Sequence, residues 1–505
     1  MVGDPADRHK REKFVLRLRR TTPRRLLSAL LASGSAIASW GFIKPAAAEL
    51  NTYCQSPQES IVTKENLLQA SLKNNLDAQK EYESLIKKDA EQLRQCRSQN
   101  WPQTQAIWLR LYECDATPGA LERLLDRIVH KGYNQVNVEV FFNGQVLLPA
   151  SDNPTPWTSV VRSPGRENAD LLAQIIEKGR ERGLKVYAWM FTLNFGYAYA
   201  QRPDRQATLA LNGDGNNSLS VVSDQAFVDP YSRQAQIDYY DMLKAVLERR
   251  PDGVLFDYVR YPRGNGRQSV ASDVKDLWIY GAASRQALYE RGQNNKGRDL
   301  IKRYLRQGRI TLRDVEEVDR LYPQEGAPLW EGRSPAPGES NASLQARYRR
   351  FSSDLWYLSV AHAAQGVIDF LALATHPVQQ QGIPAGAVFF PGGNQVVGQQ
   401  GFDSRLQPWN SFPASLEWHP MSYGTCGHPG CIVDQVQRVV GMAAEQTQIT
   451  PALAGIWGES YRNRPPLEEQ MRAIYRAVPE VKTVSHFAYS WQEPQSDSAR
   501  RSCRS

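Results

Sequence analysis

The chain has 505 residues, 41% hydrophobic and 23% charged, enough apolar material for one large domain with additions, which excludes a disordered or fibrous protein. Its formal net charge of +8 would suit a nucleic acid or an anionic membrane. However, ten of the 61 basic residues and three of the 53 acidic ones fall in residues 1–48, so the remainder is close to neutral and no nucleic-acid partner is expected.

Residues 1–48 read as an export signal. A basic stretch precedes a moderately apolar run from Leu26 to Ile43, and Pro45 to Ala48 supplies the small residues of a cleavage site, so cutting is expected near Ala48. Arg24-Arg25-Leu26-Leu27, after Thr22-Pro23, resembles a twin-arginine motif. The alternative is an uncleaved anchor, because the run approaches bilayer length. The protein is therefore expected to be exported to the periplasm or exterior of a bacterial cell, meeting the membrane only through this segment. Its oligomeric state is not legible.

Six cysteines form an even set in an exported chain, so disulfides are expected. Their connectivity is not fixed by sequence. The pairing adopted is Cys54 with Cys96, Cys426 with Cys431 and Cys114 with Cys503. The alternative for the CGHPGC loop is a metal site from His419, Cys426, His428 and Cys431, but that spacing matches no common zinc pattern and no metal is expected.

Residues 49–104 form a polar preface in which Leu67, Leu68, Leu72, Leu76, Leu85 and Leu93 recur at roughly helical spacing, predicting helices. From Gln105 onward, short apolar strands alternate with amphipathic stretches, the pattern of an α/β protein whose parallel sheet is covered by helices. Eight strands are predicted: AIWLRL at 106, QVNVEVF at 135, LKVYAWM at 184, GVLFD at 253, GAVFF at 386, LEWHPM at 416, ALAGIW at 452 and SHFAYSW at 485. Helices are predicted between most of them, including Gly119 to Lys131, Ala169 to Arg182, Ser232 to Arg249 and Pro466 to Val478. Eight such units predict a closed (β/α)8 TIM-type barrel over residues 105–495. A long charged insertion follows strand four at about 264–345, and 496–505 form a C-terminal tail.

In such a barrel, residues facing the helices are apolar, while those facing the axis can be polar near the C-terminal mouth, where active sites lie. In the second strand Val136, Val138 and Val140 share one face, which leaves Asn137, Glu139 and Phe141 on the other. In the fourth, Val254 and Phe256 face the helices, so Asp257 points inward at the strand's end. In the sixth, Glu417, His419 and Met421 share a face. A carboxylate at a barrel mouth is costly unless paired, hydrogen-bonded or employed. The structural reading is that Asp257 ties down its loop through Arg260, with Tyr258 between them. The catalytic reading takes Asp257 as one acid and Glu417, Glu139 or Glu459, in that order, as its partner. Trp189, Tyr423, Trp457 and Trp491 fall at or just after strand ends, where flat rings make platforms for sugars.

These segments carry a family resemblance. YNQVNVEVFFNGQVLLPAS, ERGLKVYAWM, FVDPYSRQAQIDYY leading to DGVLFDYVRYP, then HPMSYG and SHFAYSWQ, together resemble the bacterial family 10 glycosyl-hydrolase-like domain over residues 105–492. The resemblance implies a TIM-type barrel and a carbohydrate substrate, with Asp257 and Arg260 on the family's FDY-x-RYP pattern. The chain departs from that family at Glu139 and Phe141, where Gln and Arg are usual, and at Leu416 beside Glu417, where an acid is usual. The expected function is an exported glycoside hydrolase acting on an envelope or extracellular polysaccharide through two carboxyl groups. The expected substrate-binding residues are Trp189, Tyr258, Arg260, His419, Tyr423, Trp457, Glu459 and Trp491. No motif calls for a cofactor. The alternatives are a non-catalytic glycan-binding barrel and a scaffold that uses the preface and insertion.

Overall fold

Eight runs of apolar residues pair side by side in the computed structural model, which describes residues 52–503. The expected export signal and its cleavage site lie outside the described residues. The strands are β1 (Thr104–Leu109), β2 (Gln135–Phe142), β3 (Lys185–Phe191), β4 (Gly253–Asp257), β5 (Ala385–Phe389), β6 (Glu417–Ser422), β7 (Ala452–Ala454) and β8 (Thr483–Phe487). Each is parallel to its neighbours, their order round the sheet follows the sequence, and β8 pairs with β1 to close the barrel. Every predicted strand is present. The driving force is the burial of both faces: β2, for example, is buried along its whole length, as a strand inside a helix-covered parallel sheet must be.

The helices α1 (Gln58–Ser71) and α2 (Leu76–Gln99) form the preface, and Asn75 caps α2 by accepting from the Asp77 and Ala78 amides at 3.1 Å. This pair is bolted to the barrel. Tyr82 of α2 donates to Asp126 at 2.7 Å, and Arg182 pairs with Asp126 at 2.8 Å and donates to the Tyr82 hydroxyl at 2.6 Å. All three side chains are buried, so each polar group finds its partner without water.

Helices α3 (Ala120–His130), α4 (Leu171–Glu181) and α5 (Arg233–Glu248) follow β1, β2 and β3. The insertion contributes α6 (Ala282–Glu290), α7 (Asn295–Gln307) and α8 (Leu312–Leu321) ahead of α9 (Leu344–Gln380), whose 37 residues return the chain to the barrel. By length and composition α9 could cross a bilayer, but 61% of its most apolar window is buried in the protein, as in a core helix. No α-helix separates β5 from β6, only a 3-10 turn at Trp409–Ser411. That connection is a loop whose short strand Gly401–Asp403 lies between two antiparallel partners, Val396–Val397 of the same loop and Val270–Ala271 of the insertion. Helices α10 (Gly430–Val440) and α11 (Leu467–Ala477) follow β6 and β7.

The C-terminal tail is helical: α12 (Pro494–Arg501) lies against the loop after β1, where Arg500 pairs with buried Asp115 at 2.7 Å. All three expected disulfides are formed: Cys54–Cys96, Cys114–Cys503 and Cys426–Cys431. The last removes both thiols from any metal site in the CGHPGC loop, and no group of three metal-ligating side chains occurs among the described residues.

Candidate active site

Strand alternation brings polar side chains from several strands to one end of the barrel. A cavity of about 260 Å³ opens there, lined by Trp108 and Arg110 at the end of β1, Glu139 of β2, Trp189 and Phe191 of β3, Asp257 of β4 with Tyr258 and Arg260 beyond it, Met421 and Tyr423 around the end of β6, and Phe487 of β8. Asp224 and Gln225, from the long connection after β3, complete the rim.

Asp257 is the last residue of β4 and is 6% exposed. Its Oδ1 accepts from the Tyr258 amide at 2.6 Å, and its Oδ2 accepts from the Trp189 indole N–H at 3.1 Å. Tyr258 adopts a left-handed backbone with φ of 54°, a conformation that costs a non-glycine residue roughly 1–2 kcal/mol. The strained turn aims the Tyr258 amide back at the carboxyl and lays its ring against Phe191 at 4.1 Å. Burial pushes the Asp257 carboxyl up to about 6, against the pull of its two hydrogen bonds and of Arg260. No ion pair joins Asp257 to Arg260; the arginine donates to the Tyr261 carbonyl at 3.0 Å instead.

Glu139 is 1% exposed and pairs with the Arg110 guanidinium through Oε2, while its Oε1 is buried with no hydrogen-bond partner. Burial holds its carboxyl above the usual range, the Arg110 charge pulls it down, and the Asp257 charge pushes it up again. Both carboxyl groups face one cavity.

The structure does not bring Glu417 to this mouth. It is the first residue of β6, at the opposite end of a parallel barrel, where it accepts from the Tyr187 hydroxyl at 3.1 Å and contacts His419 Nε2 at 3.1 Å. His419 lies fully buried within the barrel, edge-on to Trp108, and does not line the cavity. Glu459 is exposed on the loop after β7. Trp457 turns outward, against Tyr53 and His486, with its indole N–H donating to the Tyr133 hydroxyl at 3.4 Å. Trp491 stands behind the lining, edge-on to Phe487 and Tyr461. Phe141 leaves the inward face, because a bulge after Glu139 shifts the register with β3 and sends the ring among Trp157, Phe195 and Tyr239. Trp189, Tyr258, Arg260 and Tyr423 do line the cavity.

Arg110, Trp108, Phe487 and Asp224 were not singled out from sequence. Alternation held the signal for three of them: Ala106, Trp108 and Arg110 share a face of β1, and Ser485 and Phe487 share one of β8. Asp224 lies in an irregular connection that carries no periodicity.

No protein-family model matches the chain, and no curated protein matches it. Among solved structures, 31% of this chain aligns with 78% of a hypothetical protein from Ruminiclostridium thermocellum ATCC 27405, at 16% identity and a TM-score of 0.24. Similarly, 76% of it aligns with 54% of the beta-galactosidase from the psychrophilic Marinomonas ef1, at 11% identity and a TM-score of 0.42, so the chain spans about half of that protein. For a GH20 catalytic module of the pneumococcal exo-beta-D-N-acetylglucosaminidase the figures are 79% and 83%, at 9% identity and a TM-score of 0.38. The barrel is defined by its own strand pairing.

Proposed function

We infer that this protein is an exported glycoside hydrolase acting on a polysaccharide of the cell envelope or its surroundings. The observation that carries this reading is the pair Asp257 and Glu139, two carboxyl groups from β4 and β2, with β3 between them, facing one aromatic-lined cavity. Glycosidic cleavage needs one carboxyl group that is neutral, to protonate the leaving oxygen, and one that is charged, to meet the positive anomeric centre. Burial favours the protonated form of Asp257, which suits it to the first role. Glu139 is assigned the second role, as attacking group or as base for water, because its Oε2 is paired with the Arg110 guanidinium, which offsets part of the burial that raises its carboxyl. Trp108, Trp189, Tyr423 and Phe487 offer the flat surfaces on which the apolar face of a sugar stacks. Three disulfides favour an oxidising compartment.

The test is release of reducing ends from a panel of envelope and extracellular polysaccharides by the purified protein, with Asp257→Asn and Glu139→Gln alongside. Cleavage by the parent and none by either variant is expected. Cleavage that survives both substitutions would remove the assignment.

A further inference from the structure

Among the described residues, the buried arginines other than Arg260 are well partnered. Arg182 pairs with Asp126, and Arg405 takes Asp403 with two bonds of 2.7 Å. Arg97, with no carboxylate, donates to the carbonyls of Tyr53, Pro102 and Gly132. Arg260 is the exception at the cavity. It is 7% exposed, makes one hydrogen bond, to the Tyr261 carbonyl, and has an Nε with no partner. The rings of Tyr258, Phe390 and Phe227 lie at 4.4, 5.6 and 5.7 Å from its guanidinium carbon and fix its plane. Asp257, the nearest acid in sequence, is engaged elsewhere by Tyr258 and Trp189. A guanidinium held in place and largely buried, which feels the charges of Asp257 and Asp403 through space but is hydrogen-bonded to neither, has hydrogen-bonding capacity in reserve for something that enters the cavity.

We propose that Arg260 is the receptor for an oxyanion on the substrate, so that the preferred sugar carries a carboxylate or a sulfate. This deepens the hydrolase reading and rests on it for the identity of the ligand as a sugar. Arg110 does not compete for the role, because its charge is taken by Glu139. A neutral sugar would leave Arg260 as it is, whereas an acidic one supplies the missing partner, and the planar fork of arginine suits both carboxylate and sulfate oxygens.

Binding of D-glucuronate, D-glucose 6-sulfate and D-glucose to the full mature protein tests this, read by the fluorescence of Trp108 and Trp189, which line the cavity. At least one acidic sugar is expected to bind tenfold or more tightly than glucose. The ratio should fall to near one in Arg260→Gln and be partly retained in Arg260→Lys. Which acid wins distinguishes a carboxylated from a sulfated substrate. Affinities within twofold of each other, binding of none of the three, or an Arg260→Gln variant that keeps the preference would overturn the proposal. If Arg260→Gln does not fold, the ratio in the parent protein still decides. A protein that prefers acidic sugars but cuts no glycan would overturn the hydrolase reading alone, and one that cuts glycans without that preference would overturn this inference alone.

Discussion

Arg110, one residue past β1, closes on Glu139 near the centre of β2, and it is the ion-pair partner of that buried carboxylate among the described residues. The pair is lopsided: the arginine side chain is 40% exposed and the glutamate 1%. Removing the exposed partner strands a charge in the barrel. Arg110→Gln should therefore destabilise the fold at neutral pH by roughly 1–3 kcal/mol, below the range for a fully buried pair because water already screens the arginine. Adding Glu139→Gln should recover most of the loss. Denaturant unfolding of the two single variants and the double variant measures the coupling, and simple additivity would mean the pair is not coupled.

Asp257→Asn should abolish cleavage while leaving ligand binding in place. The amide keeps the size of the side chain but has no proton to give the leaving oxygen, so the loss falls on the transition state and turnover should drop by several orders of magnitude. In the parent protein, turnover should decline as pH rises through about 6, where Asp257 loses its proton. Single-turnover rates beside a binding isotherm separate the two effects. Comparable losses of both would make Asp257 a structural residue.

The same carboxyl group makes stability depend on pH with a definite sign. Its folded value of about 6 lies above the ordinary value of 3.8, so as pH rises the unfolded chain gives up this proton first. The contribution of Asp257 to stability is complete below pH 4 and declines by about 3 kcal/mol as pH rises through 6. Asp257→Asn does not titrate. The difference in unfolding free energy should therefore move in the variant's favour by about that amount between pH 4 and pH 7. A difference that stays flat across this window would place the carboxyl group in water.

The three disulfides should contribute very unequally. They close 389 residues for Cys114–Cys503, 42 for Cys54–Cys96 and 5 for Cys426–Cys431. Chain entropy in the unfolded state then gives upper figures of roughly 6, 4 and 2 kcal/mol. Paired Cys→Ser replacements, compared by denaturant midpoint, should rank in that order. The Cys114–Cys503 variant should also loosen α12, whose Arg500 holds Asp115 and the Arg110 carbonyl.

Trp457→Ala should lower stability by about 2–4 kcal/mol and leave cleavage within twofold of the parent, because the ring packs outside the barrel wall. Parallel melting and activity measurements decide this. A large loss of affinity without a loss of stability would return Trp457 to the mouth.

How much of this was readable in advance depends on the range over which each feature is encoded. The eight strands, the preface helices and the inward direction of Asp257 and Glu139 were legible in the sequence by itself, because side chains alternate with period two along a strand and apolar residues reveal which face meets the helices. Tertiary structure alone decided the rest. Alternation assigns a face but not a height, so Glu417 shares a face with Met421 yet lies at the far end of the barrel. A bulge breaks the alternation at Phe141 through pairing with β3. The turn of the chain beyond β7 carries Trp457 outward, where Tyr53 and His486 receive it. Arg110 reaches Glu139 across 29 residues of sequence, because β1 and β2 are hydrogen-bonded neighbours in a register that places Leu109 opposite Val138. Periodicity within one strand is a local property of the backbone. The height of a residue and the partner across the gap belong to the closed barrel, which exists only when all eight strands are paired.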